Sequence, residues 1–403
     1  NCATMETLLQ AGVNDADLLI AATGADELNL LCSMTAHGIN PNIHTIARIC
    51  NPDYTDQVYK MQKTFALSLT VNPEKQAAIE IERLLKFPGF LKRDSFAKGR
   101  VEIVELRVDE RSRLCNVALS ELNRVIKCRV LVCAVLRRGD VVAPDGSFVL
   151  REGDRIFVTA STESLATLLD NLGIITKKVN HVMICGGGRV SYYLAQQLEK
   201  DGMTVRLIEK DPKHCEELAA LLPKTEIIND DASNTFVLKR ENIESCDALV
   251  TATGMDELNM IISLYGTKHG VSQVITKLGH MENGSMIDQL PIGSTIWPKD
   301  LCCNGIVRYI RAMHNQTGAA VSVHSIADGK AEAIEFHVEE KKPYCDKPLK
   351  NMKVKQNILV SCITHGGVTE LPGGDSVIRE GDTVVVVTTR NDIIYKLDDI
   401  FEA

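Results

Sequence analysis

The chain has 403 residues, 45% of them hydrophobic and 24% charged, a length that favours several domains and a composition ordinary for a globular fold. A formal net charge of −8 excludes a general nucleic-acid binder, which needs a basic face. No apolar run approaches the roughly 18 to 20 residues that span a bilayer.

In chain order, the first strong signal is "ATGADELN" at Ala22–Asn29, where a strand runs into a Thr-Gly turn and then a helix. It returns with one change as "ATGMDELN" at Ala252–Asn259, 230 residues later. Around it, residues 1–31 align without gaps to residues 231–261. The amphipathic stretch "PEKQAAIEIERLLKF" follows, of the kind that joins subdomains and packs on a neighbouring copy. From about Lys98 to Thr176 the texture changes to short strands and turns, with Pro144-Asp145-Gly146 ahead of "VLREGDRIFVTAS" (Val149–Ser161).

The second half repeats this plan. "HVMIC" (His181–Cys185) is a short apolar run ending in Gly186-Gly187-Gly188, as a buried parallel strand would. Helix and strand then alternate through "MTVRLIEKD", "TEIIND", "DALVTATG", "SQVITKLG" and "GSTIWP", with Pro212 opening one helix and a further helix starting near Asn234. "PKDLCCNGIVRYIRAM" matches the earlier amphipathic stretch. From about Gly318 short strands return, with Pro372-Gly373-Gly374 ahead of "VIREGDTVVVVTT" (Val377–Thr389). The chain is therefore two tandem copies of a two-part unit. The expected fold class is α/β: two Rossmann-like, doubly wound parallel-sheet domains, each followed by a small α+β domain. The expected boundaries are 1–92, 98–178, 179–315 and 318–403. Residues 181–230 have no counterpart in the first copy, which is expected to be N-terminally truncated, lacking three strands and the glycine turn.

A nucleotide site is expected in the second copy. Gly186-Gly187-Gly188-Arg189-Val190-Ser191 reads as GxGxxG with Ser at the third glycine, between a strand and a helix. Glycines there let a diphosphate approach the backbone, and the helix N-terminus supplies N–H donors. Glu209 lies 21 residues after Gly188, where a ribose-binding carboxylate belongs. Lys210 beside it could pair with a phosphate, although a solvated side chain is the plainer reading. Asp231-Ala232 ends the third strand and Thr253-Gly254 the fourth, all on one edge of the sheet. Asp231 suits either a base or ribose contact or a helix N-cap. Lys277, with Arg48 as its counterpart, ends the fifth strand and would bring a cation near the phosphates. In "DELN", Asp26 and Asp256 read as helix N-caps, with Glu27 and Glu257 as first-turn acids.

No catalytic set emerges around His181, His214, His269, His280 or His314. The thirteen cysteines include no CxxC pair. Neither the vicinal Cys302-Cys303 nor the spacing of Cys128 and Cys133 is a zinc or redox signature. They read as small buried hydrophobes.

"GGGRVSYYLAQQLEKDGMTVRLIEKDP", "DALVTATGMDELNMI" and the two "REGD" endings resemble the TrkA family, peripheral regulatory proteins of Trk potassium uptake systems, over essentially the whole chain. That family is built of tandem RCK (regulator of K⁺ conductance) units. The resemblance implies NAD(H) or ATP/ADP as a regulatory ligand. It places the ligand contacts at Gly186, Gly188, Arg189, Glu209, Asp231, Ala232, Thr253, Gly254 and Lys277, with Gly187, Val190 and Lys210 alongside. It also implies a homo-oligomeric ring, a tetramer, on the inner face of the plasma membrane. The implied partner is a Trk-type potassium-translocating membrane subunit, and no enzymatic activity is implied. Ser191 departs from the usual glycine. Thr23, Gly24 and Arg48 would form only half of a first site. Two other readings are a regulator of another cation channel or antiporter, and an NAD-dependent oxidoreductase, which would need a substrate domain that the sequence does not show.

Overall fold

A computed structural model describes residues 1–86, 90–109, 112–172, 178–279, 287, 290–313, 320–327, 329–389 and 394–402. His280, His314, Thr176 and Gly318 lie outside these residues. The first sheet has strands β1 (Leu18–Ala21), β2 (His44–Arg48) and β3 (Leu69–Val71), with helices α1 (Met5–Gln10), α2 (Asp26–Ile39), α3 (Pro52–Lys60) and α4 (Pro73–Lys86). Its strands are parallel, in the order β1-β2-β3. A small antiparallel sheet follows, with β4 (Lys92–Phe96), β5 (Val101–Arg107), β6 (Leu131–Arg137), β7 (Asp140–Val142) and β8 (Arg155–Ser161). Helices α5 (Leu122–Ile126) and α6 (Thr162–Leu172) accompany it.

The second copy begins with strands β9 (His181–Cys185), β10 (Thr204–Glu209), β11 (Glu226–Asn229), β12 (Ala248–Thr251), β13 (Gln273–Lys277) and β14 (Ser294–Ile296). Their order is β11-β10-β9-β12-β13-β14, parallel throughout, which is the doubly wound arrangement with its switch point at β9. Helices α7 (Arg189–Lys200), α8 (Pro212–Leu221), α9 (Thr235–Arg240), α10 (Asp256–Lys268) and α11 (Pro298–Met313) connect and flank them. The last sheet, in the order β15-β16-β19-β17-β18, comprises β15 (Ala320–Ile326), β16 (Ala331–His337), β17 (Ile358–His365), β18 (Val368–Glu370) and β19 (Thr383–Thr388).

The continuous apolar run of β9 reflects burial on both faces. Val182 and Ile184 enter one core, while Met183 and Cys185 enter another. The first of these cores is completed by the first copy. Ala77, Ala78, Ile81, Leu84 and Leu85 share one face of α4 by helical spacing, and they pack with Leu194 and Leu198 of α7. Polar contacts hold the end of α4. Gln273 Nε2 donates to Leu84 O at 2.7 Å, and Lys86 meets Asp201, at the C-cap of α7, at 2.9 Å. The expected packing of this helix on a neighbouring copy thus occurs within one chain.

The small sheets also pack together, with Phe96, Phe157 and Ile103 against Ala333, Cys362 and Val385. Each "REGD" closes a turn before a final strand. Asp154 accepts from Arg151 N and from Arg137 Nε and Nη2, each at 2.7 Å. Asp382 accepts from Arg379 N at 2.7 Å and meets His365 Nδ1 at 2.5 Å. All thirteen cysteines are free thiols, mostly buried, as small hydrophobes would be. Among the described residues no helix is long and apolar enough to cross a membrane.

Ile81 is fully buried in the core shared between the copies. Ile81→Ala should cost about 2–5 kcal/mol through lost burial and a cavity. Chemical denaturation followed by circular dichroism will check this, with destabilisation expected in the second Rossmann-like half as well as the first.

Candidate nucleotide site

The three glycines after β9 serve different needs. Gly186 has φ +99°, and a Cβ there would sit 2.8 Å from Thr253 Cα. Its N–H donates to Ile208 O at 2.8 Å, tying the turn to the end of β10. At Gly187 a Cβ would lie 2.8 Å from Leu218 Cδ1 and 2.9 Å from Glu209 Oε2. Gly188 instead has open space above it and forms the N-cap of α7 without a side-chain bond. An uncapped N-terminus under open space is suited to an anion. The exposed Arg189 begins α7, whereas Val190 is buried in the core, so only its backbone N–H could serve a ligand. Ser191 is also fully buried, and its hydroxyl has no hydrogen-bond partner among the described residues.

Glu209 braces this turn from the end of β10. Its Oε2 accepts from Gly187 N at 2.7 Å, and Oε1 accepts from Asp211 N at 2.9 Å. His214 is close by, with Nε2 2.8 Å from Gly187 O and Nδ1 3.2 Å from Glu217. Burial opposes its protonation, but Gly187 O, Glu217 and Glu209 outweigh this and raise its pKa. Spacing alone had shown no partner for this histidine. Lys210 is exposed, and its carbonyl accepts from Asn229 Nδ2 at 3.1 Å.

Asp231 is not a helix N-cap. Its Oδ1 accepts from Ser233 N at 2.8 Å in a local turn, and this bond holds its carboxyl below the usual range. The cap of α9 is Asn234, which accepts from Phe236 N at 3.0 Å, while Ala232 is buried beside it. Asp231 itself is exposed just beyond the end of β11.

The repeated octapeptide is a lock between two strand ends. Asn259 is fully buried. Its Oδ1 accepts from Thr253 N at 2.9 Å and Thr253 Oγ1 at 2.7 Å, and its Nδ2 donates to Lys277 O at 3.0 Å. Asn29 repeats every bond, to Thr23 N and Oγ1 at 2.7 Å each and to Arg48 O at 2.9 Å. Nor are the aspartates N-caps, since those positions belong to Ala25 and Met255. Asp26 Oδ2 accepts from Cys50 N and Asn51 N at 2.7 Å each, and Asp256 accepts from Gly279 N at 2.9 Å. Each aspartate spans to the next strand's exit because its helix starts directly opposite it. Gly24 and Gly254 are exposed at the turn between these anchors.

The two expected cations are both engaged. Lys277 Nζ donates to Thr253 O at 2.8 Å. Burial holds its pKa below the usual lysine range, with Asp256 and Glu74 pulling the other way. Arg48 donates from Nε to Cys50 Sγ at 3.1 Å, and its Nη2 lies 3.5 Å from Glu74 Oε1. Burial, followed by Glu74, pushes the Cys50 thiol to about 12. Among the described residues, Glu74 Oε2 is buried without a hydrogen-bond partner. The fold therefore gathers Gly186 to Arg189, Glu209, Asp231, Thr253, Gly254 and Lys277 on one sheet edge. Thr23, Gly24 and Arg48 form a separate edge in the first copy. Glu74 was missed because its partner Arg48 lies 26 positions earlier, at the end of another strand. Asn29 and Asn259 were missed although the repeat itself spelled them out.

The family model described as the TrkA-N domain matches residues 1–69 and 182–298, and that of the TrkA-C domain matches 103–173 and 333–401. The chain is 29% identical over 386 residues to "Trk system potassium uptake protein TrkA homolog 1" of Methanosarcina mazei, covering 94% of this chain and 85% of that protein. "Trk system potassium uptake protein TrkA homolog" of Archaeoglobus fulgidus is 29% identical over 402 residues, covering 100% and 89%. The Haemophilus influenzae protein TrkA is 27% identical over 405 residues, covering 98% and 87%. Among solved structures, the GsuK RCK domain superposes with a TM-score of 0.60 at 15% identity, over 96% of this chain and 81% of that one. A GsuK channel described as bound to NAD gives 0.58 at 15% identity, over 96% and 67%. At that identity the structural likeness concerns the fold.

The glycines separate packing from ligand access. Gly186→Ala should cost about 2–4 kcal/mol, from a strained φ and contact with Thr253. Gly188→Ala should leave stability within about 0.5 kcal/mol while weakening nucleotide binding about tenfold or more, because its Cβ fills the open space over the helix end. Asn259→Ala should cost about 2–4 kcal/mol by stranding several buried groups. Urea unfolding of the three variants beside the parent chain will check the stability order.

Proposed function

This chain belongs to the TrkA family, built of TrkA-N and TrkA-C domains, and on that premise we propose that it is a nucleotide-binding regulatory subunit of a Trk-type potassium transporter, without enzymatic activity of its own. One observation carries the nucleotide reading. Gly188 combines open space with an uncapped helix end, next to a glycine turn that Glu209 braces at 2.7 Å. In this reading a diphosphate lies against the N–H groups from Gly188 to Val190, and Arg189 faces it from the first turn. Glu209 receives the ribose, with Asp231 and Thr253 at the base or ribose side. Lys277 anchors the neighbouring strand end.

NAD(H) and ATP/ADP both fit this chemistry, and a channel of the same fold is described as bound to NAD. The names of the relatives support a place in potassium uptake. We place the protein in the cytoplasm, at the inner membrane face, against a potassium-translocating membrane subunit. In the tandem unit, residues 1–92 and 179–315 are the Rossmann-like parts, and 98–178 and 318–403 the small ones.

Exposed apolar side chains in both copies support assembly into a ring. Leu31 and Met34 are exposed on α2, and Met5 on α1. Ile261 on α10 is 61% exposed, and Phe236 on α9 is 68% exposed. Leu31 and Ile261 occupy equivalent places in the two copies, and uncovered large side chains there suit a self-contacting surface. A ligand can gate such a ring only if it binds one of its states more tightly than the other.

Titration of the intact chain with NADH, NAD, ATP and ADP should give saturable binding that Gly188→Ala and Glu209→Gln each weaken about tenfold or more. Potassium flux through the reconstituted membrane subunit should change with the bound nucleotide. A flat titration removes the nucleotide role, and binding without any change in flux removes the gating role. Light scattering should give a mass several times that of one chain, reduced by Ile261→Glu.

A further inference from the structure

The helix that begins at the glycine turn is gripped from the side by the other copy. Tyr193 lies in the first turns of α7 and is only 6% exposed. Its hydroxyl donates to Cys50 O at 3.1 Å and accepts from Asn72 Nδ2 at 3.3 Å, with Thr55 Oγ1 at 3.4 Å. All three partners belong to the first copy.

Each partner is fixed to something else. The N–H groups of Cys50 and Asn51 are held by Asp26, the acid of the first octapeptide. Asn72 follows β3, and its Oδ1 accepts from Lys75 N at 2.8 Å at the start of α4. Apolar packing between α4 and α7 is non-directional and permits sliding. Hydrogen bonds of about 3 Å lose strength with small changes in distance or angle. The Lys86–Asp201 pair ties the two helices again at their far ends. The first copy is thus tied to α7 at both ends of that helix, through Tyr193 and through Asp201.

We propose that Tyr193 is a positioning residue that couples ligand occupancy of the second copy's cleft to the strand ends and α4 of the first copy. This rests on the nucleotide reading above. A ligand seated on the α7 N-terminus loads the same helix that carries the hydroxyl a turn further on. The strand end at Cys50 and the cap at Asn72 then respond together, although neither touches the ligand.

Hydrogen–deuterium exchange of the full chain with and without saturating NADH, and separately ATP, tests this. In the parent chain, bound nucleotide should change exchange in residues 50–56 and 72–86 about fivefold. Tyr193→Phe keeps the ring, so it should bind nucleotide within about threefold of the parent while losing most of that response. Tyr192→Phe leaves all three bonds in place and should retain it. A full response in Tyr193→Phe overturns the coupling, as does nucleotide binding by the parent chain with no change in these segments. Failure of the parent chain to bind any of these nucleotides overturns the site reading instead.

Discussion

A parallel sheet must be covered on both faces, and the second sheet of this protein is covered in part by a helix from the first copy. Ala77, Ile81 and Leu85 of α4 enter the same core as Val182, Ile184 and Val250. This shared burial makes the two copies one folding unit in that region. It also brings α4 alongside α7, the helix that starts at the glycine turn. The small sheets reinforce the arrangement by packing Phe96 and Phe157 onto Ala333 and Val385. A tandem duplication thus becomes an internal pair, with unlike residues facing each other.

The strand ends are built on a second constraint. Backbone groups where parallel strands stop have no ladder partner, and buried ones must find another. Asn29 and Asn259 supply both a donor and an acceptor from one side chain, joining two strand exits in each copy. Asp26 and Asp256 add acceptors at the second of these exits, taking the N–H groups of Cys50 and Asn51 just after β2 and of Gly279 just after β13. With the scaffold held this way, the glycine turn needs no support from Gly188, whose surroundings stay open. Beyond this shared frame the copies diverge. Arg48 turns to Glu74, whereas Lys277 turns to Thr253 O.

Much of the fold is legible in the sequence. Alternating apolar runs and breakers marked the six strands of the second sheet, and the offset between the octapeptides marked the duplication. The glycine turn and Glu209 could be read from spacing, because strand length and helix pitch set the distance between them along the chain. The roles inside "DELN" were harder to read. An aspartate at a helix start usually caps it, yet here the caps are Ala25 and Met255, and the aspartates reach across to other strands. Helix-start statistics describe local geometry, and the competing acceptors' partners were 23 to 25 residues away.

By itself, then, the sequence determined the α/β class, the tandem plan and the position of one complete glycine turn with its acid. Those features follow from periodicity and short-range spacing, which act within a few turns of chain. Only the tertiary structure decided that α4 serves the other copy's core, that Asn259 rather than Asp256 locks the turn, and that Tyr193 grips Cys50 and Asn72. The last two contacts join residues 143 and 121 positions apart. Such pairings depend on how the copies fold against each other, and hydrogen-bond direction is not encoded in the order of the letters.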